Sequence, residues 1–190
     1  IVVSVLGVAW IFSRVSEYLP LVVAALAIAL VGLWDDVKHV PVALRLLVQT
    51  ASCLAAILHV QTLPGLALDW QSAVLPLSIL LIGGVWLINL LNFMDGIDGL
   101  AGSQAVFMLL AAAFLALIAQ PASAAHEVWR LTAVMVAATL GFLVWNHPRA
   151  RVFMGDVGST FLAYMLLVLC FLTVHEGWLS FPVWLILAAG

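Results

Sequence analysis

Long apolar runs separated by short polar segments dominate the chain. Six of them approach the ~20 residues that an α-helix needs to cross a ~30 Å hydrocarbon core. They are Leu19 to Trp34, Val42 to Val60, Val74 to Leu91, Leu100 to Ala119, Val128 to Trp145 and Val157 to Val174. Two further runs, Ile1 to Phe12 and Trp178 to Gly190, are cut by the ends of the chain. The pattern predicts an all-α, polytopic transmembrane helix bundle with six complete spans and two truncated ones.

Composition supports the same class. Hydrophobic residues make up 66% of the chain, charged residues only 8%, and the mean hydropathy is +1.27. A lipid-exposed backbone must satisfy its own hydrogen bonds, which favours helices. We therefore expect residues 1–190 to form a single integral membrane domain. Because the chain also lacks an initiator Met, we expect it to be a fragment of a longer protein.

The polar segments predict which end of the bundle faces the cytoplasm. Counting spans by parity places three loops on one face: 35–45, 92–99 and 146–156. The basic residues of these loops are Lys38, Arg45, Arg149 and Arg151, whereas the opposite face has only Arg14 and Arg130. Cytoplasmic loops carry an excess of Lys and Arg. The three loops are therefore predicted to be cytoplasmic.

The first loop begins with two adjacent carboxylates, Asp35 and Asp36. Adjacent carboxylates repel each other, so that one pKa rises unless a cation or a donor lies between them. A divalent metal or a lysine such as Lys38 would remove that repulsion. In the helix that follows, Arg45 and Gln49 would lie on one face. Taken alone, the loop also fits an ordinary solvated helix cap with interfacial basic residues.

In the second loop, polar residues recur at every third position: Asn89, Asn92, Asp95 and Asp98. On a helix with a frayed end, neighbouring members of this series would share a face. Carboxamides bind base, sugar or phosphate groups, and carboxylates hold hard metals. The residues do not fit the register of an EF-hand. The alternative is a polar turn without a ligand, although a turn requires glycine and not four such side chains.

The third loop leads into a span through glycines. Such glycines at the start of a helix leave N–H groups available for phosphate oxygens, and Arg149 and Arg151 nearby would strengthen the site. The sequence is not that of a P-loop. Together the three loops contain five carboxylates and four fixed cations, and a metal dication would reverse this negative balance. Mg²⁺ is favoured, with Mn²⁺ as the alternative, because one or two carboxylates plus phosphate oxygens suffice to hold Mg²⁺.

Three motifs, in this order, resemble the polyprenyl-phosphate N-acetylhexosamine-1-phosphate transferases of glycosyltransferase family 4. They are Asp35-Asp36, Asn89-x-x-Asn92-x-x-Asp95-Gly96-x-Asp98-Gly99-Leu100 and Phe153-Met-Gly155-Asp156-x-Gly158-Ser159. The resemblance extends from Val31 to Tyr164 and includes the Arg45-x-x-x-Gln49 pattern. The second motif is more similar to the branch that initiates O-antigen and related surface polysaccharides than to the peptidoglycan branch.

The resemblance implies a multi-pass enzyme of the bacterial inner membrane whose active site faces the cytoplasm. In that family a UDP-sugar gives its sugar-1-phosphate to a polyprenyl phosphate and UMP is released. The partners implied are the lipid phosphate, the UDP-sugar and the membrane, with no nucleic acid; the oligomeric state stays open, with a homodimer as one alternative. Direct attack by the acceptor phosphate is favoured because a monoester is mostly dianionic at pH 7. An aspartyl intermediate stays open as well.

The motif match also implies roles for individual residues. Asp156 is the first choice for a metal ligand. Asp35 and Asp36 would hold or deprotonate the lipid phosphate, and Asp95 and Asp98 would organise the diphosphate site. The residues expected to contact the substrates are Lys38, Arg45, Asn89, Asn92, Arg149, Arg151, Gly158 and Ser159. The family pattern further implies a histidine-bearing cytoplasmic loop beyond Gly190.

Three other classes of protein are weaker alternatives. An ion-coupled transporter also keeps carboxylates in its spans, but it holds them near the membrane midplane, whereas here they lie at span ends. A CDP-alcohol phosphotransferase would need an Asp-Gly-x-x-Ala-Arg signature, which fails because Gly99-Leu100 follow Asp98. A structural subunit without catalysis is the third alternative.

Overall fold

The computed structural model describes residues 15–60 and 74–189, which form helices and their connections. In chain order the helices are α1 Val15–Val37, α2 Val42–His59, α3 Val74–Met94, α4 Leu100–Ala119, α5 Glu127–Asn146, α6 Gly155–His175 and α7 Phe181–Ala189. A short 3₁₀ helix, Pro121–Ala125, connects α4 and α5. Helices α1 to α6 are each long and apolar enough to cross a membrane. This confirms the predicted all-α bundle with six spans.

The helix ends differ from the ends of the apolar runs. Helix α1 continues through Asp35 and Asp36, and α3 continues through Asn92 to Met94. Hydropathy marks only the apolar part of a helix, whereas polar residues at its end can extend the same backbone hydrogen bonding. The run from Trp178 forms only the nine-residue α7. The run from Ile1 to Phe12 lies outside the described residues.

Helix α6 forms the centre of the bundle. In its spanning segment 89% of the residues are buried, against 17 to 39% in the other five spans. Phe161, Tyr164 and Phe171 are almost completely inaccessible to solvent. A helix that is apolar on all sides belongs in an interior. The N-terminus of α6 is therefore held in place by the surrounding helices.

Helix α1 approaches α6 very closely at Gly32. A Cβ atom built on Gly32 would lie 2.7 Å from the backbone oxygen of Asp156 and 2.7 Å from the Cα of Val157. Small residues allow the backbones of membrane helices to approach in this way. The contact brings the carboxyl end of α1, with Asp35 and Asp36, beside the start of α6.

Helix α7 is attached to its neighbours by two hydrogen bonds. The indole Nε1 of Trp184 donates to Oγ1 of Thr173 on α6 at 2.9 Å. The Nε2 of Gln104 on α4 donates to the carbonyl oxygen of Leu187 at 2.9 Å. These bonds satisfy polar groups that would otherwise be costly within an apolar environment.

We expect Gly32→Ala to destabilise the protein by about 1 to 3 kcal/mol, because the added methyl group forces apart the backbones of α1 and α6. The matched control is Gly83→Ala on α3, where a Cβ would meet nothing within 4 Å. Alanine is favoured over glycine within a helix, so this control should be neutral or more stable by about 0.5 to 1 kcal/mol. Tryptophan-fluorescence unfolding in one detergent measures both. Equal stabilities would contradict the close packing at Gly32.

Candidate active site

The polar ends of α1, α3 and α6 meet at one end of the bundle. Asp36 of α1 accepts hydrogen bonds from the backbone at the start of α6. The side chain of Asn92 on α3 lies near the carboxylate of Asp156. Asp98 accepts a hydrogen bond from the backbone N–H of Ala150, at 2.9 Å. The three polar segments that parity assigned to one face therefore form one contiguous site.

Asp36 caps helix α6 from another helix. Its Oδ1 accepts from the N–H of Asp156 at 2.9 Å, and its Oδ2 accepts from the N–H of Val157 at 3.1 Å. A helix is usually capped by the residue directly before it, but here Met154 makes no side-chain cap. The negative carboxylate also interacts favourably with the positive end of the helix dipole. Asp36 thus fixes the backbone from which the Asp156 side chain projects.

Gly155 is required by this cap. Its φ of +65° lies in the left-handed region that favours glycine. A Cβ atom there would also lie 2.7 Å from Oδ2 of Asp36. Any larger residue would therefore strain the backbone and displace the capping carboxylate.

The glycines at the start of α6 predicted free N–H groups for a phosphate, but the first N–H groups of the helix are already hydrogen-bonded. The N–H groups of Asp156 and Val157 already bond Asp36, so a phosphate would have to replace that carboxylate. The Ser159 hydroxyl donates to the carbonyl oxygen of Gly155 at 2.8 Å. A Cβ at Gly158 would meet Cγ of Met154 at 2.5 Å. Both residues thus have structural uses, and their contacts with substrate remain predictions.

Arg45 connects two carboxylates. Its Nη1 donates to Oδ2 of Asp35 and lies 3.3 Å from Oδ2 of Asp156. The two carboxylates therefore contact the same guanidinium nitrogen. Like charges this close would repel each other strongly without a cation. The guanidinium of Arg45 supplies that cation.

Asp35 is held from its other side as well. Its Oδ1 accepts from the backbone N–H of Val40 at 2.7 Å. The side chain is 8% exposed, against 26% for Arg45 and 24% for Asp156. Asp35 is therefore the fixed member of the group, and the other two side chains are more accessible to solvent and ligands.

The two asparagines of α3 have different partners. Nδ2 of Asn89 donates to Oε1 of Gln49 at 2.7 Å and to the carbonyl oxygen of Val85 at 2.8 Å. Gln49 is buried and lies one turn after Arg45 on α2. Asn92, one turn beyond Asn89, lies near Asp156. The carboxamides thus join the carboxylate cluster to α2 and α3.

Asp95 is the buried carboxyl group of the turn after α3, and it is 8% exposed. Burial raises its pKa above the ordinary value of 3.8, and the negative charges of Asp156 and Asp36 act in the same direction. The backbone N–H groups of Gly155 and Met154 oppose that rise in pKa. Asp95 therefore holds a proton more readily than an exposed aspartate does.

A buried amide that the sequence pattern did not single out fastens two of the polar segments together. Oδ1 of Asn146 accepts from the N–H of Gly99 at 2.9 Å, and Nδ2 donates to the carbonyl oxygen of Val152 at 2.8 Å. Asn146 is 1% exposed. The sequence could have indicated this role, because Asn146 is a carboxamide at the end of an apolar run. A carboxamide is buried at low cost only when it is hydrogen-bonded.

The remaining predicted cations lie at the same end but outside this cluster. Lys38, Arg149 and Arg151 are exposed, and none of them forms an ion pair with a described residue. Their predicted contacts with phosphate groups stay predictions. Among residues 15–60 and 74–189, Arg45 is thus the basic residue that forms ion pairs with the carboxylates of the cluster, Asp35 and Asp156.

The donor set at Asp156 fits magnesium in one specific way. No three His, Cys, Asp or Glu side chains in the described ranges are placed to hold a metal ion. Mg²⁺ does not need such a cage, because it binds through one or two carboxylates, water and substrate phosphate oxygens. Asp156, with Asp35 beside it, offers that number of carboxylates.

A small pocket extends from the cluster between α1, α2 and α6. Its polar lining residues are Arg45, Gln49, Asp156 and Thr160, and its other lining residues are Ile28, Val31, Gly32 and Val48. Thr160 is held by a hydrogen bond from its Oγ1 to the carbonyl oxygen of Asp156 at 2.5 Å. The pocket is therefore lined by both charged and apolar residues.

Fold and site together define a multi-pass helical membrane protein with a polar centre at one end of its bundle. The family model of Glycosyl transferase family 4 matches residues 18–174. The chain therefore belongs to this family, as its three motifs indicated.

Curated relatives come from two groups of transferases. The chain is 33% identical over 167 residues to the "Probable undecaprenyl-phosphate N-acetylglucosaminyl 1-phosphate transferase" of Bacillus subtilis, covering 82% of this chain and 44% of that protein. It is 34% identical over 189 residues to the "Phospho-N-acetylmuramoyl-pentapeptide-transferase" of Trichormus variabilis, covering 90% and 50%. A protein of the same name from Streptococcus equi subsp. zooepidemicus is 38% identical over 109 residues, covering 57% and 31%. The chain thus spans at most half the length of these relatives.

We expect the effect of Asp95→Asn on stability to depend on pH. A raised pKa means that ionising Asp95 destabilises the folded state, so this penalty is absent below 3.8 and grows as pH rises toward the folded-state pKa. The variant cannot ionise there and should gain stability relative to the wild type as pH increases from about 4 upward. Melting temperatures of both proteins across pH 4 to 8 measure this, with Glu176→Gln as a control for loss of an acidic residue at the other end. A difference independent of pH would contradict the shift.

Proposed function

We propose that the full-length protein transfers a sugar-1-phosphate from a UDP-sugar to a polyprenyl phosphate at the cytoplasmic face of the membrane, with release of UMP. The observation that carries the proposal is the cluster of Asp35, Arg45, Asn92 and Asp156 at one end of a membrane bundle. A lipid phosphate and a soluble nucleotide sugar can meet only at such an interface. Membership of glycosyltransferase family 4 supports the same reaction class.

The reaction needs positioning and charge neutralisation more than covalent help from the protein. Arg45 lines a pocket that also has apolar lining residues, and there it could bind the phosphate of an amphiphilic acceptor. Asp35 keeps this guanidinium in position through its ion pair. Asn92 and Asn89 would orient the donor, and exposed Lys38, Arg149 and Arg151 would attract its diphosphate. An acceptor phosphate that is mostly dianionic at pH 7 can attack without an enzyme nucleophile.

Two of the predicted catalytic carboxylates have positioning roles in this proposal. Both oxygens of Asp36 already accept backbone hydrogen bonds at the start of α6. Asp98 accepts one from Ala150 and so holds the arginine-bearing loop. Asp95, buried and with a raised pKa, is suited to hold a proton next to the diphosphate site. We infer that Asp36 and Asp98 act through the groups that they orient.

Magnesium is part of the proposal. Asp156 would hold the ion, with Asp35 as the second available carboxylate, and phosphate oxygens would complete its shell. When bound, the ion would neutralise charge on the transferring phosphoryl group. Mn²⁺ would fit the same oxygen donors. Asn92, which lies near the Asp156 carboxylate, would help to keep it in place.

The sugar is proposed to be of the N-acetylhexosamine type. Relatives in both groups carry such a sugar in their names, one N-acetylglucosaminyl and the other N-acetylmuramoyl-pentapeptide. The second motif has the sequence Asn-Phe-Met-Asp-Gly at residues 92–96, which favours the branch that initiates surface polysaccharides. We propose that branch for this protein, with a small UDP-N-acetylhexosamine as donor.

The proposed orientation predicts where single cysteines can be labelled. With native Cys53 and Cys170 replaced, cysteines at His39, Ile97 and Ala150 should react with an impermeant maleimide only from the cytoplasmic side. A cysteine at Gln120, between α4 and the 3₁₀ helix, should react only from the opposite side. Labelling in intact cells and in inverted vesicles measures this. Reaction of any of the first three in intact cells would contradict the shared cytoplasmic site.

Asp156→Asn should reduce UMP release more than ~100-fold in the full-length protein, because a metal held on a phosphoryl group contributes several kcal/mol to transition-state stabilisation and each ~1.4 kcal/mol is tenfold in rate. Melting in the absence of Mg²⁺ should be nearly unchanged or slightly higher, since the variant loses a carboxylate from a negative cluster.

The measurement is UMP release from candidate UDP-sugars at varied Mg²⁺. Glu176→Gln, which removes the same charge at the opposite end, should keep normal turnover. Near-normal turnover of Asp156→Asn with the same Mg²⁺ dependence would remove Asp156 as the metal ligand. Absence of UMP release from the wild type with every donor would contradict the proposed function itself.

A further inference from the structure

Arg45 contacts the carboxylate that is proposed to bind the metal ion. Its Nη1 lies 3.3 Å from Oδ2 of Asp156 while it also donates to Asp35. A guanidinium in that position neutralises the same carboxylates that a dication would neutralise. Because like charges repel, the contact of Arg45 with Asp156 opposes the binding of a divalent ion to the same carboxylate.

We propose that Arg45 is a positioning residue that competes with the divalent metal for Asp156. Without metal, Arg45 bridges Asp35 and Asp156 and keeps the carboxylate cluster compact. Metal binding releases Arg45 from Asp156, and the guanidinium becomes available to a phosphate group. The inference rests on the proposed function only in taking Asp156 as the metal ligand.

Arg45 contacts Asp35 more closely than Asp156, which favours its release from Asp156. The bond to Asp35 is a direct charge-assisted hydrogen bond, and Asp35 is itself held by the N–H of Val40. The contact with Asp156 is an ion pair at 3.3 Å. Arg45 can therefore leave Asp156 while it remains attached to Asp35.

The arrangement of the acidic side chains agrees with this competition. Within residues 15–60 and 74–189 no set of three potential ligands surrounds a common point, and Asp35 and Asp156 both contact the guanidinium of Arg45. The protein's own cation therefore lies at the two carboxylates that are proposed to hold the metal. A metal ion at Asp156 would have to displace this cation.

The test is metal binding without any substrate. Mn²⁺ affinity is measured by electron paramagnetic resonance on the full-length protein in lipid nanodiscs. Arg45→Gln should bind Mn²⁺ at least ~10-fold more tightly than the wild type, because a unit positive charge in contact with the site is removed. Arg149→Gln removes the same charge from an exposed position at the same end, where solvent and salt screen it, and should change the affinity less than ~3-fold.

Two further variants separate competition from a general change in charge. In an Asp156→Asn background, Arg45→Gln should no longer tighten Mn²⁺ binding, since the shared carboxylate is gone. Arg45→Lys should bind Mn²⁺ more tightly than the wild type but less so than Arg45→Gln, because an ammonium cannot span two carboxylates as a guanidinium does. Arg45→Lys also provides the test if Arg45→Gln does not fold.

Unchanged or weaker Mn²⁺ binding by the folded Arg45 variants would overturn the competition, as would equal tightening by Arg149→Gln. Because no sugar nucleotide or lipid substrate is present, this result is independent of UMP release. If the Arg45 variants do not bind Mn²⁺ more tightly, the proposed reaction still stands. If the wild type releases no UMP, a change in Mn²⁺ affinity would still support the competition.

Discussion

The pair of hydrogen bonds from the Asp36 carboxylate to the first N–H groups of α6 is the interaction on which the site depends. It fixes the end of one helix against the beginning of another and sets where Asp156 stands. Gly32 permits the necessary backbone approach, and Gly155 leaves space for the capping carboxylate. A helix start that is normally a ready anion site is thereby filled from within the protein.

The second constraint is charge. Several carboxylates are brought together at a membrane surface, and their mutual repulsion must be offset by hydrogen bonds and by a cation. The backbone supplies N–H donors to Asp35, Asp36 and Asp98. In the described part of the chain, Asp156 instead has an ion pair with a guanidinium that it shares with Asp35. A carboxylate without a backbone donor is freer to bind a ligand.

Apolar runs identified all six spans because a run near ~20 residues has few other uses, and parity correctly grouped the three polar segments. The helix ends were displaced because Asp36 and Asn92 are polar yet helical. Cross-helix partners, such as Asp36 with the start of α6 or Asn146 with Gly99, could not be predicted. These partners depend on how the helices are rotated relative to one another. The hydropathy of a single span does not reveal that rotation. Asn89 was expected to meet substrate, but its bond to Gln49 depends in the same way on how α2 and α3 pack.

The capping bond between Asp36 and Asp156 joins residues 120 positions apart in the chain. All five earlier helices of the described bundle must therefore be synthesised before the last carboxylate of the cluster can be placed. Until α6 arrives, the polar end of α1 has neither its helix-dipole partner nor the apolar surface that covers it. Assembly of the polar centre is thus a late event in biogenesis, and a chain interrupted before residue 155 would carry most of the acidic residues without the site.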